Sequence, residues 1–132
     1  MNKRFLISWL VITILTMAFG FLVHGTLLAK DYEALVPSAF RSPEDAEKVF
    51  HFMILANILF AFGFTWIYRK GVEPGKSSVG QGVRYGLAVA VLATIPTFLI
   101  YYVVQPIPGM LAVKQILFEV PTIVIMGILL LC

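Results

Sequence analysis

The sequence predicts an all-α, polytopic membrane protein whose four transmembrane helices form two antiparallel hairpins in a four-helix bundle. Three observations predict this fold class. Hydrophobic residues make up 60% of the 132 residues, and only 13% are charged. The mean hydropathy is +0.93, far from the value of a soluble domain of this size. Four apolar runs contain very few charged residues, and each has about the 20 residues that a helix needs to cross the hydrocarbon core.

The apolar runs place four spans within a single membrane domain, residues 1–132, at about 5–27, 45–69, 81–104 and 110–132. The first run follows Lys3 and Arg4, as in a signal peptide, but it is longer than an h-region of about 7 to 15 residues. We therefore expect a retained first span. Before the second span, Ser42 and Pro43 have the chemistry of a helix start, with a side-chain cap followed by a proline at the first helical position.

The third and fourth spans are separated by the residues 105–109, QPIPG, which predict a tight turn. Within the third span, Pro96 removes one helical hydrogen bond, so we expect a kink whose free carbonyl is satisfied by the hydroxyls of Thr94 and Thr97. Within the fourth span, Lys114 is expected to extend toward the interface. The apolar residues 35–40 of the first loop are expected to lie in the headgroup region or against a neighbour.

The distribution of Lys and Arg predicts that both termini face the cytoplasm. Six basic residues, at positions 3, 4, 69, 70, 76 and 84, would lie on that side. Four, at positions 30, 41, 48 and 114, would lie on the other side, beside five acidic residues of the first loop. Aromatic residues mark both interfaces: Trp9, Trp66, Tyr68 and Tyr85 on the cytoplasmic side, and Tyr32, Tyr101 and Tyr102 on the other.

Glu119 is the foremost candidate for a functional residue, because it lies about nine residues inside the fourth span, close to the middle of the bilayer. Either it is a structural group that is hydrogen-bonded to another helix, or it binds a proton, an ion or a partner subunit. Polar residues at helical spacing on each span predict an intramembrane polar centre that consists of Glu119, Asn57, Gln115, Thr16 and Thr97. Small residues at helical spacing predict close helix packing at Gly82, Gly86, Ala90 and Gly20.

His24 and His51 lie near the ends of the first and second spans, which a hairpin would bring to a similar depth. Two histidines could bind haem or a metal ion, although interfacial hydrogen bonding is the alternative. Apart from that site we expect no cofactor, and we expect bound lipid. The single cysteine, Cys132, excludes an internal disulfide and a cysteine-based zinc site.

Other function classes have little support in the sequence. No phosphate-binding loop, nucleophile elbow or redox cysteine pair is present, so we do not expect an enzyme. Basic residues cluster at the ends of the spans and form no patch with aromatic residues, so nucleic acid is not an expected partner.

Four segments resemble a family of small four-span bacterial membrane proteins that is known only as a domain of unknown function. They are FLVHGTLL at 21–28 followed by Tyr32, FAFGFTWIY at 60–68, GQGVRYGL at 80–87 and YYVVQPIP at 101–108. The resemblance covers almost the full chain and implies no activity, substrate or cofactor. The sequence departs from the expected pattern at Cys132, where it ends in an apolar run without basic residues, which leaves open whether the natural protein continues.

Three hypotheses follow for a multi-pass protein of the bacterial inner membrane. The first is an accessory subunit that packs against other subunits of a larger membrane complex, of the respiratory, photosynthetic or membrane oxygenase type. The second is a homo-oligomeric, proton-coupled or small-solute transporter that uses Glu119, since four spans seldom enclose a pathway alone. The third is an electron carrier that binds haem or metal through His24 and His51.

Overall fold

The computed structural model describes residues 3–36 and 41–130, and within these ranges all regular secondary structure is helical. The predicted all-α fold is confirmed, since four helices are long and apolar enough to cross a membrane. The elements are α1 (Lys3–Leu22) with a π-helical turn (Val23–Leu27), α2 (Ala29–Glu33), α3 (Pro43–Gly71), α4 (Ser78–Val89) with a π-helical turn (Ala90–Thr94), α5 (Ile95–Val104) and α6 (Gly109–Leu129).

These elements form four spans: Lys3–Leu27, Glu44–Gly71, Ser78–Val104 and Gly109–Leu129. The first span packs mainly against the second, and the third mainly against the fourth, which gives the two hairpins. We call the end of the bundle that carries residues 3 and 129 the termini end, and the end that carries α2 and the 105–108 turn the capped end. Residues 131–132, which include Cys132, and residues 37–40 of the apolar loop segment lie outside the described residues.

The second and third spans begin at side-chain caps. Ser42 Oγ accepts a hydrogen bond from the backbone N–H of Asp45 at 3.3 Å, which confirms the predicted helix start. Ser77 Oγ accepts one from the N–H of Gly80 at 3.2 Å in the same manner. Each cap satisfies a backbone donor that the first helical turn leaves without a partner.

The third span is irregular just before Pro96, where Ala90–Thr94 form a π-helical turn. Proline has no N–H to donate to the carbonyl four residues earlier. In the turn just before it, the hydrogen bonds span five residues instead of four, and the N–H of Ile95 donates to the carbonyl of Ala90. The expected repair by the hydroxyls of Thr94 and Thr97 is wrong, because neither hydroxyl makes a hydrogen bond to the described part of the chain. A wider backbone turn accommodates the proline instead.

Two clusters of buried apolar residues hold the bundle together. The first lies toward the termini end and joins three spans, through Ile12, Ala61, Phe64, Tyr68, Ile123, Met126 and Leu130. Tyr85 of the third span packs against it and donates a hydrogen bond to the carbonyl of Phe64 at 2.6 Å. The second lies at the capped end and contains Val23, Leu28, Ile107 and Leu111, with Tyr32 and Leu35 packed against it. The short helix α2 therefore folds over the capped end of the bundle.

Glycines bring the backbones of the third and fourth spans into close contact. A Cβ atom on Gly82 would lie 2.6 Å from the carbonyl oxygen of Gly127, and one on Gly86 would lie 2.6 Å from Cα of Val124. Ala90 continues this contact and is 1% exposed. Gly20 differs, because a Cβ there would meet nothing within 4 Å. Three of the four predicted packing positions therefore lie in buried surroundings, and Gly20 does not.

We expect Gly86→Ala to destabilise the bundle by about 1–3 kcal/mol, because the added methyl group meets backbone that cannot move aside without separating the helices. Unfolding in mixed detergent micelles, followed by circular dichroism, measures this loss. Gly63→Ala is the matched control, since a Cβ at Gly63 meets nothing within 4 Å and alanine favours the helix by about 0.5–1 kcal/mol. Equal unfolding midpoints for the two variants would contradict the close packing.

Candidate functional site

A chain of hydrogen bonds joins three elements beneath the capped end. The Nε2 atom of His24 lies 2.7 Å from Oε1 of Glu119. The other ring nitrogen, Nδ1, lies 2.5 Å from the hydroxyl oxygen of Tyr32. Gln115 then donates from Nε2 to the same hydroxyl at 3.2 Å. The chain therefore links the first span, α2 and the fourth span, and three of its four side chains, those of His24, Glu119 and Tyr32, are titratable.

The local backbone explains why these side chains meet. His24 lies in the π-helical turn that ends the first span, and α2 reverses the chain so that Tyr32 returns over it. The two rings stack with centroids 5.7 Å apart. Gln115 and Glu119 are four residues apart on α6, so both face the same side of that helix.

The chain of bonds is compatible with His24 in either protonation state. In neutral imidazole one nitrogen donates and the other accepts, whereas in imidazolium both donate. Neutral His24 accepts from Tyr32 at Nδ1 and donates to the Glu119 carboxylate from Nε2. Protonated His24 donates from both atoms, and the hydroxyl of Tyr32 then acts as the acceptor. The site can therefore gain or lose a proton without losing its hydrogen bonds.

Tyr32 is held in its neutral form by its surroundings. Burial raises the pKa of the phenol above 10.0, the hydrogen bond from Gln115 lowers it, and the charges of Glu119 and Asp31 raise it further. The net shift is upward. Asp31 in turn pairs with Lys114 at 3.3 Å, so Lys114, which was expected to extend toward the interface, contacts α2 at the capped end. A neutral phenol is the form that can both donate and accept within the chain of bonds.

Gln115 is 5% exposed, and its Oε1 atom is buried without a hydrogen-bond partner among the described residues. A buried polar atom without a partner costs about 1–3 kcal/mol. Nε2 of the same amide donates to Tyr32, so one half of the side chain is satisfied and the other half is not. The unsatisfied amide therefore belongs to a side chain that is hydrogen-bonded to Tyr32.

Beside the His24–Glu119 pair lies a cavity of about 770 Å³ that is partly open to the outside. All four spans line it. The first span contributes Thr16, Met17, Phe19, Gly20, Phe21, His24 and Gly25; the second, Phe50, Met53, Asn57 and Phe60; the third, Ala93, Thr94, Thr97 and Phe98; the fourth, Glu119, Thr122, Ile123 and Met126. Most of the wall is apolar, with a few polar groups, as is typical of small-molecule sites.

The structure brings most of the predicted polar centre to this cavity. Glu119, Asn57, Thr16 and Thr97 all line it, whereas Gln115 does not and reaches it only through Tyr32. Asn57 and Thr16 also bond within their own helices, to the carbonyls of Met53 and Ile12. Tyr32 is the residue that sequence reasoning missed, because it was assigned only to the interfacial aromatic belt. No local pattern indicates that α2 returns this side chain to His24.

His24 and His51 are not brought together. His51 is exposed with its ring against Phe52, and none of the contacts among described residues joins it to His24. Both ring nitrogens of His24 are engaged, so it would have to give up Tyr32 or Glu119 to bind a metal. Within residues 3–36 and 41–130, no group of three or more His, Cys, Asp or Glu is arranged to hold a metal ion. The haem or metal hypothesis gains no support from this geometry.

Comparison with known sequences identifies the family. The family described as protein of unknown function (DUF1761) matches residues 7–131. The chain belongs to this family. The match covers nearly the whole chain, so the resemblance to an uncharacterised family is confirmed. A search of curated proteins and a search of solved structures each find no match.

Membership of DUF1761 assigns no activity to the His24–Glu119 pair, so inferences about function rest on the geometry of the site. That geometry combines a proton-exchanging chain of side chains with a cavity large enough for a small molecule. The two features share His24 and Glu119, which belong to both.

We expect Tyr32→Phe to lower the free energy of unfolding by about 1–3 kcal/mol, because both His24 Nδ1 and the Gln115 amide lose a partner. The pKa of Tyr32 is raised in the folded state, so its contribution is complete below pH 10 and is lost as the pH rises through the raised value. The difference between wild type and variant should therefore shrink above pH 10. Detergent unfolding at a series of pH values measures it.

Tyr101→Phe is the control for this variant, because Tyr101 is 46% exposed. Its unfolding free energy should match that of the wild type. If Tyr32→Phe and Tyr101→Phe behave alike at every pH, the hydroxyl of Tyr32 has no structural role in the site.

Proposed function

We propose that the protein is a proton-coupled carrier of a small solute across the membrane, with Glu119 as the proton-binding carboxylate and the cavity as the solute site. The observation that supports this proposal most directly is the position of the His24–Glu119 pair in the wall of the 770 Å³ cavity. A solute in the cavity is in reach of the titrating groups, so its binding and that of a proton affect each other.

The burial of the pair is suited to this role. The side chain of Glu119 is 19% exposed and that of His24 is 35% exposed, so neither is sealed from the cavity. Ionisable groups at membrane depth are costly and commonly serve in ion and proton pathways. A neighbouring imidazole offsets part of the cost of burying the carboxylate, because it can donate a hydrogen bond or carry a positive charge. The carboxylate can still bind and release a proton.

A homo-oligomer would give the carrier an enclosed pathway, and the third span offers a surface for it. Only 6% of the most apolar stretch of this span is buried within one chain, against 39% for the fourth span. The bacterial inner membrane, with both termini in the cytoplasm, is the proposed location, since the distribution of basic residues favours that orientation and a proton gradient would drive transport.

Glu119→Gln should abolish proton-coupled exchange, because an amide keeps the size of the side chain but does not bind and release a proton as a carboxylate does. Purified protein is reconstituted into liposomes that contain a fluorescent pH dye, and a pH gradient is imposed. Organic cations, amino acids, sugars and carboxylates are then added one at a time. We expect at least one solute to change the internal pH faster than in protein-free liposomes, and Glu119→Gln to return that rate to the protein-free rate.

Two matched variants control this experiment. Glu73→Gln makes the same chemical change at a side chain that is 58% exposed and pairs with Lys76 outside the bundle. His51→Gln matches His24→Gln, and only the latter should slow exchange. The carrier proposal fails if no solute changes the internal pH, or if Glu119→Gln exchanges as fast as Glu73→Gln.

The second candidate function is an accessory subunit of a larger membrane complex. The exposed third span also favours it, since Leu92 is 79% exposed and Val103 is 84% exposed, which leaves a large apolar face for another protein. In this case the hydrogen bonds of His24 to Glu119 and Tyr32 would serve only to stabilise the packing of the helices.

If the accessory role is correct, the protein extracted from its native membrane in mild detergent should migrate with other subunits, at a mass well above that of its own oligomer. Native gel electrophoresis followed by mass spectrometry of the band tests this. Migration of the chain alone or as a homo-oligomer would exclude the accessory role and leave the carrier proposal standing.

A further inference from the structure

We infer that the cavity binds an organic cation with apolar substituents, which pairs with the carboxylate of Glu119 and displaces a proton from the site. This inference rests on the proposed carrier function and names its substrate class. It follows from three properties of the cavity wall: its charge, the free oxygen of Glu119, and the aromatic rings that surround it.

The charge of the wall favours a cation. Among the described residues that line the cavity, Glu119 is the one carboxylate, and none is Lys or Arg. The second and third spans present no titratable side chain to it. The nearest lysine on the same helix, Lys114, is paired with Asp31 of α2. An anionic solute would therefore meet a carboxylate in a medium of low dielectric without a compensating lysine or arginine.

The carboxylate has one oxygen available. Oε1 of Glu119 is bonded to His24, whereas Oε2 makes no hydrogen bond to any described residue and is not among the buried atoms without a partner. Glu119 lines the cavity, so we place this oxygen within reach of a molecule bound there. An ionised carboxylate accepts at about four lone-pair sites, so a second charge partner fits beside His24.

The rest of the wall selects an apolar molecule. Five phenylalanines and three methionines line the cavity: Phe19, Phe21, Phe50, Phe60, Phe98, Met17, Met53 and Met126. The ring of Phe98 lies 6.2 Å from that of His24, which places an aromatic group beside the pair. A cation within about 6 Å of an aromatic face is attracted to it, and apolar substituents on the cation bury surface against the remaining rings.

The exchange balances in charge. With one proton the His24–Glu119 pair is electrically neutral overall, either as imidazolium beside carboxylate or as neutral imidazole beside carboxylic acid. A monovalent cation at Glu119 supplies the same charge, so that proton leaves for bulk water, by way of His24 Nδ1 and Tyr32 toward the capped end. Besides Glu119, the titratable side chain that contacts His24 among the described residues is Tyr32 of α2, and Asp31 of α2 lies near Tyr32 with its partner Lys114 of α6. One cation enters the site and one proton leaves it.

The test compares two ions of the same shape and opposite charge, tetraphenylphosphonium and tetraphenylborate, by equilibrium binding to the full chain in detergent. We expect saturable binding of the cation and none of the anion. Proton competition should weaken cation binding as the pH falls, by up to about tenfold per pH unit for one exchanged proton. Glu119→Gln should lower cation affinity at least about tenfold, and Glu119→Asp, which keeps the charge, should retain it.

The inference is overturned if the anion binds as tightly as the cation, if no saturable cation binding occurs, or if Glu119→Gln binds the cation as the wild type does. The comparison of the two ions needs no variant, so it holds even where a substitution unfolds the protein.

The carrier function is tested separately. Exchange of a neutral or anionic solute with protons, without cation binding, would overturn the substrate class only, whereas cation binding without any exchange would overturn the carrier function only.

Discussion

The contact between His24 and Glu119 is the interaction on which the rest of the structure depends. A lone carboxylate inside a bilayer is costly, and the lysine on the same helix, Lys114, is paired with Asp31. Glu119 can therefore stay within the span only if another element brings it a partner. The first span does so with His24, and α2 holds the imidazole from the other side through Tyr32. This polar contact thus joins the first span to the fourth, and the hydrogen bond of Tyr32 joins the capping helix to the same imidazole.

The His24–Glu119 pair lies between closely packed parts of the bundle and beside its cavity. Toward the termini end, Gly82 and Gly86 let the third and fourth spans touch backbone to backbone, and the buried cluster around Phe64 and Met126 fills the space between spans. Between this cluster and the second buried cluster at the capped end, side chains of all four spans surround the cavity. The π-helical turn before Pro96 includes Ala93 and Thr94, which line that cavity, so the irregular backbone lies at its wall. Ile123 and Met126 belong both to the termini-end cluster and to the cavity wall, so the packed core borders the cavity directly.

Much of the fold can be predicted from the sequence because its causes are local. Apolar runs determine the spans, and Ser42 determines a helix start through a hydrogen bond within three residues. Glu119 is identified as a candidate because a carboxylate in an apolar run has a known cost. Its partner cannot be predicted in the same way, since His24 lies 95 positions away and the sequence offers other groups at similar depth. The π-helical turns and the return of Tyr32 over His24 also depend on tertiary packing, which periodicity does not encode.

The position of the pair explains why a cation and a proton would be alternatives in this cavity. A site of low dielectric tolerates little net charge, so the ionised Glu119 carboxylate needs one positive partner. His24 supplies it when protonated, and in neutral form it supplies only a hydrogen bond. Two positive charges beside a single carboxylate would leave one uncompensated, because no other acidic side chain lines the cavity in the part of the chain that the structure describes. Competition between the proton and the organic cation therefore follows from a single carboxylate in a mostly apolar wall. It requires no separate conformational change.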